Sequence, residues 1–216
     1  MGIISRFPAG ATKPYIEEIY NSDGQLISAN MYGYDAIRDS AFYDCINLAL
    51  TSLPSGITSI GDSVFSGCSS LALTSLPSGI TSIGDSAFYY CTSLALTSLP
   101  SGITSIGNYA FYNCTNLALT SLPNGITSIG DSAFYYCTSL ALTSLPSGIT
   151  SIGNKAFYNC NNLVSLTFEG TPERIDSTTF IGCNNLTTIN VPWAEGAVAN
   201  APWGAPNATI NYGHIS

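Results

Sequence analysis

Charge is scarce in this chain. Only 8% of its 216 residues are Asp, Glu, Lys or Arg, and thirteen acidic side chains against five Lys and Arg leave a net charge of −8. Nucleic acid and anionic lipid are recognised by grouped cations, so neither is expected as a partner. Histidine is nearly absent, with His214 alone near the C-terminus. There is no Gly-x-Ser-x-Gly elbow, phosphate-binding loop or dinucleotide fingerprint. Glu17 and Glu18 are adjacent in an apparent hairpin, where they would face opposite sides of a strand and could not work as a carboxylate pair. These absences point away from an enzyme, and no cofactor is expected. No apolar run approaches the ~18 residues that suggest a membrane helix, so no membrane insertion is expected. The opening "MGIISRFPAG" lacks the continuous apolar stretch of a secretory signal. Export would need another route or a segment outside this sequence.

Hydrophobic residues are plentiful, at 45%. With so little charge, the surface must be built from Ser, Thr, Asn, Gly and Tyr. Every cysteine lies 23 residues from the next: Cys45, Cys68, Cys91, Cys114, Cys137, Cys160 and Cys183. The same step carries Phe42, Phe65, Phe88, Phe111, Phe134, Phe157 and Phe180, and then Leu48, Leu71, Leu94, Leu117, Leu140, Leu163 and Leu186. That arithmetic defines about seven repeats. Residues 74–96 and 120–142 differ only at Ser78 against Asn124, which suggests duplication of a two-repeat unit. A unit of 23 residues cannot enclose a core alone, so each must stack on the next as a solenoid coil.

Within a coil, "NLALTSLP" reads as a short strand and a Pro-marked turn, and "SGITSIG" as a second extended or turn segment. "DSAFYYC" or "NYAFYNC" reads as a short helical turn capped by its Asp or Asn, with Ala and Phe inward. The stretch "SLPSGITSIGDSAFYYCTSL" resembles the BspA-like class of bacterial leucine-rich repeat, marked by a Pro-turn, an Ile-Gly-Asp or Ile-Gly-Asn step, Ala-Phe and Cys. The likeness spans roughly residues 34–192 in one register. It implies a right-handed solenoid with a parallel β-sheet on one side and short helical turns on the other. It also implies surface-displayed adhesins or binding proteins of bacteria, their phages and some protists.

One departure from that pattern matters. The last two coils space their apolar residues as Leu163, Leu166, Phe168 and Leu186, Ile189, Val191, whereas five earlier coils read Leu-Ala-Leu-Thr-Ser-Leu-Pro. A shift of one position sends a side chain to the other face of a strand. In the family register Leu50, Leu73, Leu96, Leu119 and Leu142 would form an exposed apolar column, with Thr51, Thr74, Thr97, Thr120 and Thr143 inward. A bulge or shortened strand would instead keep both leucines of each coil inside. The exposed column would suit a partner or a second copy.

Equivalent residues of stacked coils form ladders about 4.8 Å apart. The cysteine ladder reads as buried free thiols, because seven is odd and parallel side chains point alongside one another. No Cys-x-x-Cys or nearby His offers a zinc site. Asp62, Asp85 and Asp131 alternate with Asn108 and Asn154, a set that fits caps better than a calcium ladder needing six or more oxygens. Tyrosines follow the Phe in most coils: Tyr43, Tyr89, Tyr90, Tyr112, Tyr135, Tyr136 and Tyr158, with Tyr109 just ahead. Such a face suits a glycan or protein ligand, or simply shields the outer side of each coil.

At the ends, residues 1–13 read as a flexible lead or attachment segment. Residues 14–33 read as a β-hairpin cap turning at "NSDG". From 193 to 216 the chain leaves the repeat as a C-terminal cap in which Trp193 and Trp203 close the core or stack on a sugar. Asn207-Ala-Thr has glycosylation spacing. The expectation is a non-enzymatic binding or display module, extracellular, on a bacterial surface or phage virion, attaching to a host-surface protein or glycan. The alternative is a self-assembling structural protein.

Overall fold

The structure is a computed structural model that describes residues 3–5, 15–33 and 35–214. It is a parallel β-solenoid of about eight turns. The coils are numbered 1 to 7 by the phenylalanine each carries, from Phe42 to Phe180.

Near the N-terminus, β1 (Ile3–Ser5), β2 (Tyr15–Tyr20) and β3 (Leu26–Tyr32) form an antiparallel sheet in the order β1-β2-β3. Ile3–Ser5 is the only described part of segment 1–13; the rest of that proposed lead lies outside the described residues. Between β2 and β3, Asn21 Oδ1 accepts the N–H groups of Asp23 (3.0 Å) and Gln25 (2.9 Å), an Asx turn completed by Gly24 at φ +75°. β3 docks onto the array, since the Ala49 N–H donates to Ile27 O at 2.9 Å and Ala29 and Met31 enter the core.

The long sheet runs through the Ser-Ile steps. It joins β4 (Ala36–Ile37), β5 (Ser59–Ile60), β6 (Ser82–Ile83), β7 (Ser105–Ile106), β8 (Ser128–Ile129), β10 (Ser151–Ile152) and β12 (Arg174–Ile175) in parallel, in chain order. The isoleucine of each pair is buried and the preceding residue faces out, the alternation a half-buried strand requires. On the leucine side, β9 (Ser144–Leu145), β11 (Ser165–Phe168), β13 (Thr188–Asn190) and β14 (Thr209–Asn211) make a second parallel sheet, confined to the C-terminal coils.

The leucine phase explains this restriction and corrects the exposed column. Leu50, Leu73, Leu96, Leu119 and Leu142 are all buried, while Thr51, Thr74, Thr97, Thr120 and Thr143 are exposed. In coil 3, Leu94 and Leu96 point in, Thr97 and Ser98 both point out, and Leu99 returns inward. In coil 6 the outward pair, Val164 and Ser165, comes before Leu166 and Phe168 instead. Each coil thus carries one irregular outward pair, and placing it late shortens the regular alternation that a strand ladder needs; coil 5, with the late pair, joins the sheet only through Ser144 and Leu145, against Thr167 and Phe168 of coil 6.

The Phe-containing segment is not helical, contrary to the short helical turn expected there. It is a run of i→i+3 turns in which alternate N–H groups leave the coil. In coil 3, Tyr89 N–H donates to Ser86 O (3.1 Å) and Cys91 N–H to Phe88 O (3.1 Å). Ser86, Phe88 and Tyr90 donate to Asn108, Ala110 and Tyr112 of the next coil, each at 2.8 Å. Two left-handed residues per turn make this possible: Ser86 (φ 55°) and Tyr90 (φ 57°) here, with equivalents such as Ser63, Ser132, Asn113 and Asn159 elsewhere. Each non-glycine left-handed residue costs about 1–2 kcal/mol, and bonding to the neighbouring coil offsets it.

The Asp/Asn ladder does not cap its own turn either. Asp62 Oδ1 accepts the Asp85 N–H (2.8 Å), Asp85 Oδ1 that of Asn108 (2.6 Å), and Asn108 Oδ1 that of Asp131 (2.8 Å), so each side chain serves the following coil. The glycine before it is there for close approach. A Cβ on Gly107 would stand 2.6 Å from Asp85 Oδ1 and 2.7 Å from backbone.

Inside, the phenylalanines stack continuously from Phe42 to Phe180, with centroids 5.3–5.5 Å apart and planes within 14°. Each contributes about 2–3 kcal/mol by burial, with a further increment from stacking. The cysteines beside them are free; six are buried and Cys45 is half-buried. The buried thiols donate back across the coil boundary, as Cys114 Sγ does to Phe88 O and Cys137 Sγ to Phe111 O, both at 3.0 Å.

The C-terminal segment departs from the repeat in sequence but not in path. Trp203 lies one 23-residue step beyond Phe180, and its carbonyl accepts the Phe180 N–H at 2.9 Å. Asn207 Nδ2 donates to Asn184 O at 2.8 Å, and β14 extends the second sheet. Trp193 and Trp203 are buried against Phe168, at 5.3 and 5.9 Å between centroids, so they close the core and offer no sugar platform.

Candidate binding face

One residue after each phenylalanine, the chain turns outward. Coils 3 to 6 carry Tyr89, Tyr112, Tyr135 and Tyr158 there, and their rings form a second stack parallel to the phenylalanines, with centroids 4.8, 4.4 and 4.5 Å apart. The stack is half-buried and is flanked by exposed rings. Tyr90 packs 4.7 Å from Tyr89, Tyr136 5.0 Å from Tyr135, and Tyr109 6.2 Å from Tyr112. Lys155 Nζ lies 5.9 Å from the Tyr158 centroid, a cation over a ring face.

The flanking tyrosines occupy costly backbone positions. Tyr90, Tyr109 and Tyr136 have φ of 57°, 56° and 56°, a region that bulky residues avoid. At the position of Tyr90 and Tyr136, other coils carry Asp44, Gly67, Asn113, Asn159 and Gly182; at that of Tyr109 they carry mainly Ser. Those smaller residues satisfy the turn. The three rings remain 43%, 44% and 40% exposed, so core packing does not call for them. A recurring Asn, Asp or Gly at one repeat position is itself the sequence signal for a left-handed residue, and sequence reading that assumed a helix missed it.

The hydroxyls are held neutral. Tyr112 is pushed up to about 12, chiefly by burial in the stack and then by the neighbouring Tyr135, Tyr90 and Tyr89. Tyr89 and Tyr135 are raised for the same first cause. At neutral pH Tyr89, Tyr112 and Tyr135 therefore present O–H groups that both donate and accept.

The remaining candidates lie elsewhere. Leu73, Leu96, Leu119 and Leu142 are in the core and take no part in any surface. The cysteine and phenylalanine ladders are interior; burial raises the thiols, to about 12 for Cys68 and Cys183. Among the described residues no group of three or more His, Cys, Asp or Glu could hold a metal ion. A groove of about 420 Å³ follows the Ser-Ile sheet past Asp85, Asn108 and Asp131. The Oδ1 atom of each already accepts a backbone N–H group of the next coil, so these oxygens serve the fold.

The comparisons agree with this architecture. The family profile for the BspA type leucine rich repeat region, described as six copies, matches residues 35–149 and 104–196. The chain belongs to the BspA-type leucine-rich repeat family. Proteins of this kind are generally non-enzymatic repeat proteins. Among solved structures, the chain is 30% identical to the leucine rich repeat protein of T. pallidum, covering 83% of this chain and 90% of that one at a TM-score of 0.62. It is 21% identical to a leucine rich cell surface protein from Faecalibacterium prausnitzii, covering 87% and 70% at 0.52, a likeness of fold. No curated protein matches. No helix of the described residues is long and apolar enough to cross a membrane.

Proposed function

We propose that this BspA-type repeat is an attachment module, displayed on a bacterial surface or phage virion, that holds a host-surface glycan or protein against its tyrosine face. The observation that carries this reading is the placement of Tyr90, Tyr109 and Tyr136. All three are exposed and left-handed, at positions where a residue serving only the fold would be Asn, Gly or Ser. Strain retained for rings that lie outside the core and pack only on other surface tyrosines is what a contact surface would require. The cell-surface description of the Faecalibacterium protein favours the same setting. The alternative of self-assembly rests on near-identical coils and on an exposed leucine column; those leucines are buried, which leaves the near-identity of the coils as its support.

The test exchanges the three tyrosines for residues that sister coils already use at those positions. On a surface coated with mucin, which presents both glycans and polypeptide, the wild type is expected to be retained. The triple variant Tyr90→Asn/Tyr109→Ser/Tyr136→Asn should bind at least about tenfold more weakly, with its unfolding midpoint unchanged or raised. Equal retention of the two proteins would remove the tyrosine face from the function.

A further inference from the structure

The outer tyrosine stack has a gap. Coil 1 contributes Tyr43 and coil 3 contributes Tyr89, but coil 2 has Ser66 at that position, followed by Gly67. The phenylalanine column beneath passes through coil 2 without interruption, Phe42 to Phe65 to Phe88 at 5.5 Å each, so the coil spacing is unchanged and only the outer ring is missing. The result is a depression of about 320 Å³, walled by Tyr43 on one side and by Tyr89 and Tyr90 on the other, above Ser66 and Gly67. Neighbouring rings of the intact stack are 4.4–4.8 Å apart. Two such steps, roughly 9 Å, are what one inserted ring needs to touch a ring on each side.

The rim decides which ring. Asp44, Ser69 and Thr92 line the depression together with Ile46 and the aromatic walls; the Ser69 and Thr92 hydroxyls donate to Ile46 O and Ser69 O, each at 3.3 Å, and keep their oxygens to accept from a ligand. A carboxylate and two hydroxyls beside flat faces match a sugar, whose C–H faces stack on aromatic rings while its equatorial hydroxyls meet polar groups at the edge. Against a purely apolar ring the Asp44 carboxylate would lose water without gaining a partner, which is unfavourable. The net charge of −8 and Asp44 at the rim oppose an anionic residue, so an uncharged sugar is favoured. Gly67 keeps the floor low: its φ is +79°, and a Cβ there would run into the Asp44 carboxylate.

We infer that this gap is a subsite for a single neutral pyranose ring, which inserts between Tyr43 and Tyr89 and completes the stack. The inference rests on the tyrosine face being the binding surface and names the ligand class and the point of entry. The walls come from coils 1 and 3, so the subsite exists only in the stacked array.

The experiment fills the gap with the ring that coils 3 to 6 carry. Wild type, Ser66→Tyr, Tyr43→Ser and the triple variant Tyr90→Asn/Tyr109→Ser/Tyr136→Asn are titrated by saturation-transfer NMR. The probes are hexasaccharides of glucose, mannose and N-acetylglucosamine, with N-acetyltryptophanamide as the aromatic probe. The expected result is that at least one hexasaccharide binds wild type, and that Ser66→Tyr weakens it at least about tenfold while retaining the wild-type circular dichroism. Should Ser66→Tyr not fold, Tyr43→Ser supplies the same reading, since Tyr43 is 56% exposed and its removal opens one wall. Sugar binding lost in the triple variant but intact in Ser66→Tyr and Tyr43→Ser would overturn the subsite and leave the face standing. Sugar binding intact in every variant, or no sugar binding at all, would overturn the sugar subsite and count against the face. Binding of the aromatic probe alone would overturn the sugar assignment in favour of an aromatic side chain.

Discussion

Two aromatic columns run the length of this solenoid, one residue apart in sequence and opposite in what governs them. The inner column, Phe42 to Phe180, is complete in all seven coils and fully enclosed. The outer column is present in coils 1 and 3 to 6 and replaced by Ser66 and Ile181 in coils 2 and 7. The inner rings stand 5.3–5.5 Å apart and the outer ones 4.4–4.8 Å, one coil per step in both cases. Continuity inside follows from close packing, since a missing ring would leave a void. Interruption outside shows that the fold tolerates other residues at that position.

The comparison is broken most severely by Phe111→Ala. It should cost about 3–5 kcal/mol, read as a fall in the urea midpoint, whereas Tyr112→Ser in the same coil should cost about 1–2 kcal/mol, the loss of a half-buried ring and its stacking. Similar losses for the two would erase the distinction. Next comes the coil boundary. Gly107→Ala places a methyl group against Asp85 Oδ1 and backbone, for an expected loss of about 1–3 kcal/mol by the same assay.

The thiols and phenols sharpen the contrast through pH. Burial raises the interior thiols, to about 12 at Cys68 and Cys183, and raises Tyr112 to about 12. A group whose folded pKa is raised contributes stability that is fully present below its unfolded value, near 8.5 for Cys and 10 for Tyr. That contribution is lost as pH rises through the folded value. Unfolding free energy should therefore be insensitive to these groups between pH 6 and about 8. It should decline from about pH 8, first as unfolded thiols ionise and then as unfolded phenols do. Urea titrations at stepped pH check this, and Cys114→Ala should flatten the first part of the decline.

Much of the fold is legible in one pass, because a fixed step of 23 in Cys, Phe and Leu leaves no other way to bury those residues. Where the leucine phase resets is not legible. An outward pair can precede or follow the second apolar residue, and both choices bury the same number of side chains, as Leu96 and Leu166 show. The turn was misread because Asp-Ser-Ala-Phe satisfies helix capping preferences, while left-handed residues at Ser86 and Tyr90 depend on carbonyls supplied by the next coil. Trp203 hid for a related reason. Nothing around it repeats, yet it stands one period beyond Phe180. The tyrosine face was visible as a list of positions. Its gap at Ser66 acquires meaning only once the rings are seen to stack.

The smallest expected effect carries the most weight. The central claim is that the exposed tyrosines are held for contact and not for the fold. Equilibrium urea unfolding of Tyr90→Asn/Tyr136→Asn against wild type tests it without any ligand in hand. Both substitutions relieve left-handed strain and match Asn113 and Asn159 of the sister coils, so the midpoint should be unchanged or higher by up to about 1 kcal/mol of stability. A loss approaching that of Phe111→Ala would contradict the account and make the outer tyrosines part of what holds the coils together.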